Sequence, residues 1–271
     1  MRLVGHTYDH VEISFQHYFR ENLLITDCLG PFRRWEIGLV HRWLAVIVVC
    51  RLLVFCFTSD PASAEAWSSE TRWHNPLSAC DHDCAVYFSF GRFADEKMSN
   101  SFGFSGGFAP DAGDYVAPWN YDYQDAFLIS GAFSRQILTV GSWFSAELEG
   151  GIGQRFGDMH ATEVWGAVYL RWHAFQWNDN VRTTIAVSTG LNYASRVDEL
   201  EFLRDDNGNS SKLLHYLSPE ITFALPKHEN WELVLRYHHR SGGGNVFGDS
   251  ELFNGVTGAS NFATIGVRHR F

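Results

Sequence analysis

The chain has 271 residues, 24 of them glycine, with 15% aromatic residues and a formal net charge of -10 at pH 7. At a mean hydropathy of -0.17 it is long enough for a sizeable domain but too polar for a bundle of membrane helices, so any membrane role has to come from strands. The acidic balance, with no basic run beyond the N-terminal region, excludes a nucleic-acid partner, whose phosphates call for a Lys/Arg excess.

Residues 1–66 are expected to be an upstream extension and a signal peptide, and 67–271 the mature domain. The first thirty or so residues carry neither a helical nor a strand period. Arg33, Arg34 and Arg42 then precede an apolar stretch at 43–57, followed by Ala62-Ser63-Ala64 and Ala64-Glu65-Ala66, both small-x-small cleavage patterns. The stretch is short for a span of about 20 residues and Arg51 interrupts it, which favours cleavage over an anchor. Cys28, Cys50 and Cys56 fall in this leader. Cys80 and Cys84 flank Asp81-His82-Asp83 and can close a small loop in an oxidising compartment. A metal site built around His82 would lack ligands for a tetrahedral shell, so a disulfide or two free thiols is expected and no metal.

Candidate strands follow near 85–93, 126–135, 142–154, 162–174, 182–193, 212–225, 231–241 and 261–271. Eight is an even number suited to closure. Connections after the first, fifth and seventh are long and rich in Gly, Asn, Asp and Ser; those after the second, fourth and sixth are short. Long and short loops thus fall on opposite ends. Within strands one side is apolar and the other polar: Phe144, Ala146, Leu148 and Ile152 against Ser145, Glu147 and Glu149, and Ile185, Val187 and Leu191 against Thr184, Ser188 and Asn192. A lipocalin-like soluble barrel would turn the apolar side inward. Aromatic residues near strand ends (Trp143, Trp172, Trp231, Tyr237), charges that can pair in a lumen, and the terminal Phe271 favour the inverse. The expected fold is all-β: an eight-stranded antiparallel up-and-down transmembrane β-barrel.

The seventh strand carries candidate chemistry. Trp231, Leu233, Leu235, Tyr237, His239 and Ser241 share its apolar face; Glu232, Val234, Arg236, His238 and Arg240 share the other. A serine hydroxyl is a weak nucleophile until a base takes its proton, and a histidine two residues earlier projects to the same side. An acid would orient the imidazole, and Glu251 in the next loop is the first choice, with Asp249 second. Oxyanion donors are expected from the backbone of Gly242 and Gly243 or the amides of Asn245 and Asn261. By itself His-x-Ser spacing is more often incidental than catalytic. His238 and Arg240 face the expected lumen as partners for Glu147, Glu149 or Glu232.

The run Leu233 to Gly242, with its following acid-bearing loop and the closing strand to Phe271, resembles the PagL-type lipid A 3-O-deacylases and their acyloxyacyl-hydrolase-like relatives. Leu217-Ser218-Pro219-Glu220 and Ala224-Leu225-Pro226 are also similar. The resemblance implies an eight-stranded barrel of the bacterial outer membrane and a lipid-facing triad of His239 as base, Ser241 as nucleophile and Glu251 as acid. It implies removal of an ester-linked acyl chain from lipid A in lipopolysaccharide, without a cofactor; a homodimer is compatible with it. The family's Asn after the nucleophile is replaced here by Gly242. The alternative is a non-enzymatic structural, adhesive or narrow-pore barrel. A lipid A oxidase would need a metal site that the sequence does not offer.

Overall fold

The computed structural model describes residues 70–102, 104–105, 109–110, 115–243 and 251–271, with the side chains of 104–105, 109–110 and 251 excepted. The expectations for 1–66, including the leader, lie outside the described residues. The strands are β1 (Thr71–Trp73), β2 (Cys84–Ala94), β3 (Phe104–Ser105), β4 (Ala109–Pro110), β5 (Tyr123–Val140), β6 (Phe144–Gly157), β7 (Thr162–Trp172), β8 (Arg182–Ala194), β9 (Leu213–Leu217), β10 (Glu220–Ala224), β11 (Trp231–Ser241) and β12 (Ala259–Arg270). Two short helices, α1 (Met98–Phe102) and α2 (Glu199–Phe202), sit in connections.

Antiparallel pairing runs β5, β2, β12, β11, β10, β8, β7, β6, and β6 pairs back onto β5, which closes the ring. Every central edge is thereby satisfied, the condition for strands in hydrocarbon. The sixth stave, expected as one strand over 212–225, is two: β9 and β10 break at Ser218-Pro219. Proline lacks the N–H the ladder needs. The Ser218 hydroxyl compensates by donating to the Tyr237 carbonyl at 3.0 Å, and the Pro219 carbonyl accepts from the Tyr237 N–H at 2.9 Å. β1, which has too few residues to show a period, extends the lower end of β5.

The two faces are inverted relative to a soluble protein. Phe88, Phe90, Ile129, Ile152, Val164, Leu170, Ile185, Leu191, Leu233 and Ile265 point outward and are exposed, while Arg155, Arg171, Arg240 and Arg268 are fully buried inside. Outward apolar side chains lose nothing in lipid, whereas buried guanidiniums need partners. In the lower lumen, Glu220 takes Arg171 at 2.7 Å, Arg236 at 2.7 Å and Arg268 at 2.8 Å. Arg236 also binds Glu149 at 2.7 Å and lies between the Tyr87 and Tyr169 rings, 4.3 and 4.7 Å from their centroids. In the upper lumen Arg155 holds Glu163 at 2.5 Å and Glu201 of α2 at 3.0 Å. His238 and Arg240 do not meet the glutamates expected for them: His238 pairs with Glu163 and Arg240 with Glu201. They stand near the top of β11, whereas Glu147 and Glu149 lie in the lower half of β6 and Glu232 at the foot of β11. The polarity and closure together define a transmembrane β-barrel. No described helix is long and apolar enough to cross a membrane.

At the lower end Cys80 and Cys84 form a disulfide, so both sulfurs bind each other. Beside them Asp83 accepts from Arg135 at 3.0 Å and from the Asp81 N–H at 3.0 Å. Trp231 is exposed near the lower rim as expected of a girdle. Tyr237 is not: it is 6% exposed, covered by Phe102 and Tyr121, whose rings lie 5.7 and 6.3 Å away. The segment after β2, which has no readable period, folds back over that part of the wall.

Candidate active site on the outer wall

β11 carries its outward residues up to the rim as Leu235, Tyr237, His239 and Ser241, and β12 runs alongside with His239 opposite Asn261 and Ser241 opposite Ala259. On the other flank His239 meets Leu217 and Ser241 meets His215 of β9. Side chains of register partners point to one face, so the hairpin sets Asn261 beside His239 without any loop geometry being required.

His239 Nε2 lies 3.0 Å from Ser241 Oγ, and its Nδ1 lies 2.5 Å from Asn261 Oδ1. Asn261 Nδ2 donates to the Glu96 carbonyl at 2.5 Å. That carbonyl can only accept, so the amide must present its NH2 group to Glu96 and its oxygen to the imidazole. Nδ1 therefore carries the proton and Nε2 is bare. The bare nitrogen accepts the Ser241 O–H, and Ser241 Oγ in turn accepts the Gly243 N–H at 3.2 Å. Each donor meets one acceptor along the chain Gly243, Ser241, His239, Asn261, Glu96.

His239 and Ser241 are 5% and 9% exposed, so the pair does not lie open on the wall. Tyr237 below it donates to the same Glu96 carbonyl at 3.1 Å and accepts from Ser101 at 3.4 Å. Gly242 faces the other way and is crowded: a Cβ there would stand 1.7 Å from the Val256 carbonyl. An asparagine side chain, the residue of the resembling family, has no room at that position. Gly243 has φ of 85°, a conformation that favours glycine.

Among the sequence-derived candidates, the structure brings together His239, Ser241, Gly243 and Asn261. Asn261 was expected as an oxyanion donor and instead holds Nδ1 of His239. Gly242 is adjacent but turned toward Val256. Glu251 opens a 3-10 turn, Glu251–Phe253, and its side chain is outside the described residues, as are Asn245 and Asp249. The group the sequence did not point to is Glu96, which acts through a backbone carbonyl and so leaves no side-chain signature.

No protein-family model matches the chain and no curated protein matches it in sequence. Among solved structures it is similar to the outer membrane enzyme PagL, at 12% identity over 69% of this chain and 99% of that one, with a TM-score of 0.43. It is also similar to Neisserial surface protein A, at 12% identity over 72% of this chain and 100% of that one, TM-score 0.41. A third is the outer membrane protein OprG from Pseudomonas aeruginosa, at 12% identity over 70% and 95%, TM-score 0.34.

Proposed function

We propose that this chain is a barrel of the bacterial outer membrane that hydrolyses an acyl ester of lipid A, with Ser241 as nucleophile, His239 as base and Asn261 in the orienting position first assigned to Glu251. The observation that carries the reading is the unbroken hydrogen-bond chain from the Ser241 hydroxyl through His239 to Asn261, on the outward phase of a wall whose outward side chains suit lipid.

In this reading Ser241 Oγ attacks the acyl carbonyl while its proton passes to His239 Nε2. The tetrahedral intermediate collapses, the C–O bond to the sugar breaks, and the Nε2 proton goes to the departing hydroxyl. Water then adds to the acyl-enzyme, giving a proton to His239; the fatty acid leaves and Ser241 regains its hydrogen. No metal or cofactor takes part. The Gly243 N–H, which donates to Oγ, is the backbone donor assigned here to the developing oxyanion.

The second reading is a non-enzymatic barrel in which the same bonds tie the upper segments to the wall, and the low exposure of Ser241 favours it. Mass spectrometry of lipid A from cells expressing the protein or Ser241→Ala separates the two. Loss of one hydroxyacyl chain only with unaltered Ser241 is expected. Identical lipid A from both, with folded barrel present, overturns the esterase in favour of the structural barrel.

A further inference from the structure

Most strand glycines of this barrel are explained by crowding. A Cβ on Gly151 would strike the Trp165 ring at 2.1 Å, on Gly190 the Gly166 carbonyl at 2.2 Å, and on Gly266 the Phe88 carbonyl at 2.3 Å. Gly166 and Gly150 differ. A Cβ on Gly166 would meet nothing within 4 Å, and one on Gly150 only the Trp165 carbonyl at 4.0 Å. Neither has a positive φ. Both are exposed on the outward phase and they are direct register partners. Glycine weakens a strand, so an unforced pair marks a place where something else approaches the backbone.

The register shows what the pair connects to. Ser241 is opposite His215, His215 opposite Leu191, Leu191 opposite Gly166 and Gly166 opposite Gly150, all on the outer face. Counted from the upper end of each strand, these are the first residue of β11, the third of β9, the fourth of β8, the fifth of β7 and the eighth of β6. The row therefore descends from the rim into the middle of the wall, as strand tilt requires. At Gly166 the surface carries a shallow, open hollow of about 210 Å³ bordered by Val164, Trp165, Leu191, Tyr193 and Leu213. In the upper part Phe253 lies beside the buried His215, 6.5 Å between ring centroids; Leu191 below is 45% exposed. From Ser241 to Gly166 is three strand spacings, about 14 Å. With strands tilted by roughly 35–45° the row drops about 8–10 Å over that distance, so it stays within one leaflet of a hydrocarbon core about 30 Å thick.

Resting on the esterase reading, we infer that this row is the acyl lane of the site: the ester carbonyl sits at Ser241 and the chain runs past His215 and Leu191 into the hollow at Gly166 and on toward Gly150, its register partner. The occupant is a long acyl chain of a membrane ester lipid, and the absent side chains at 166 and 150 set its thickness and reach.

The test compares purified protein in detergent on p-nitrophenyl esters of butyrate and of a long-chain fatty acid, as wild type, Gly166→Leu and Gly150→Leu. Folding is verified by heat-modifiable migration; both substitutions point outward into open space. The expected result is a fall of about tenfold or more in kcat/KM for the long ester, with the butyrate ester changed by less than about twofold. Equal effects on both esters, or none on either, in folded variants overturn the lane and leave the esterase standing. Absence of hydrolysis of either ester by the wild type overturns the esterase and the lane with it.

Discussion

The Asn261 amide decides which tautomer His239 carries. A carboxylate at Nδ1 would orient the ring and also stabilise its protonated form; a neutral amide does the first and little of the second. Asn261→Ala removes the acceptor and frees the imidazole to carry its proton on Nε2, where it opposes the Ser241 hydroxyl. The expected fall in kcat is roughly 10²-fold to 10⁴-fold with KM little changed, measured on the ester that the wild type cleaves best. An activity equal to wild type would mean that another group, such as Glu251, orients His239. Of this chemistry the His239 and Ser241 pair was legible from spacing alone, because a strand period of two puts both on one side. The partner of Nδ1 was not, because the loop between β11 and β12 hides which residue of β12 faces His239. The preference for an acid went to that loop rather than to the neighbouring strand.

At the scale of elements, strand phase was readable wherever the outer face was uniformly apolar: seven of the eight staves emerged as single strands, six of them close to their expected bounds, while the second, expected over 126–135, runs from Tyr123 to Val140 and takes in most of the residues expected as its short connection. The upper segments were not readable. Residues after β2 fold onto Tyr237 and Asn261 through one backbone carbonyl, and the two other long connections are joined by Asp205. Its carboxylate accepts from the N–H groups of Asn207, Asn209, Thr257 and Gly258 and from the Thr257 hydroxyl. Burial pushes the Asp205 carboxyl up, but these donors outweigh it and hold it below the ordinary range. A depressed carboxyl stabilises the folded loops fully above the ordinary aspartate value of about 3.9 and loses that contribution as pH falls below it. The same loop carries Val256, which packs on Gly242. Asp205→Ala is therefore expected to cost about 1–3 kcal/mol of local loop stability, read as faster cleavage within 251–258 by a neutral protease. In the wild type, protection from pepsin should hold near pH 4 and weaken at lower pH. Protection that is unchanged by the substitution would show that Asp205 does not fasten these loops.

The whole molecule is a polar core wrapped in an apolar wall, and the core is where its specification is concentrated. Paired charges inside were anticipated from alternation, but which partners meet depends on the stagger between strands, which no single strand encodes. Glu220 neutralises three guanidiniums at once. Replacing it by Gln leaves Arg171, Arg236 and Arg268 short of a shared counter-charge in a lumen crossed above by the Arg155–Glu201 pair and below by the Arg270 pairs with Glu147 and Glu232. If that space is dry, the loss is expected to be about 3–5 kcal/mol, seen as a lower urea midpoint for unfolding from lipid vesicles, and wild-type protein in planar bilayers should show no steady ion conductance. If water fills the lumen, the freed guanidiniums are solvated, the midpoint hardly moves, and conductance appears. The two measurements must therefore agree. A stable Glu220→Gln barrel that conducts ions would replace the filled-core description with that of a narrow pore.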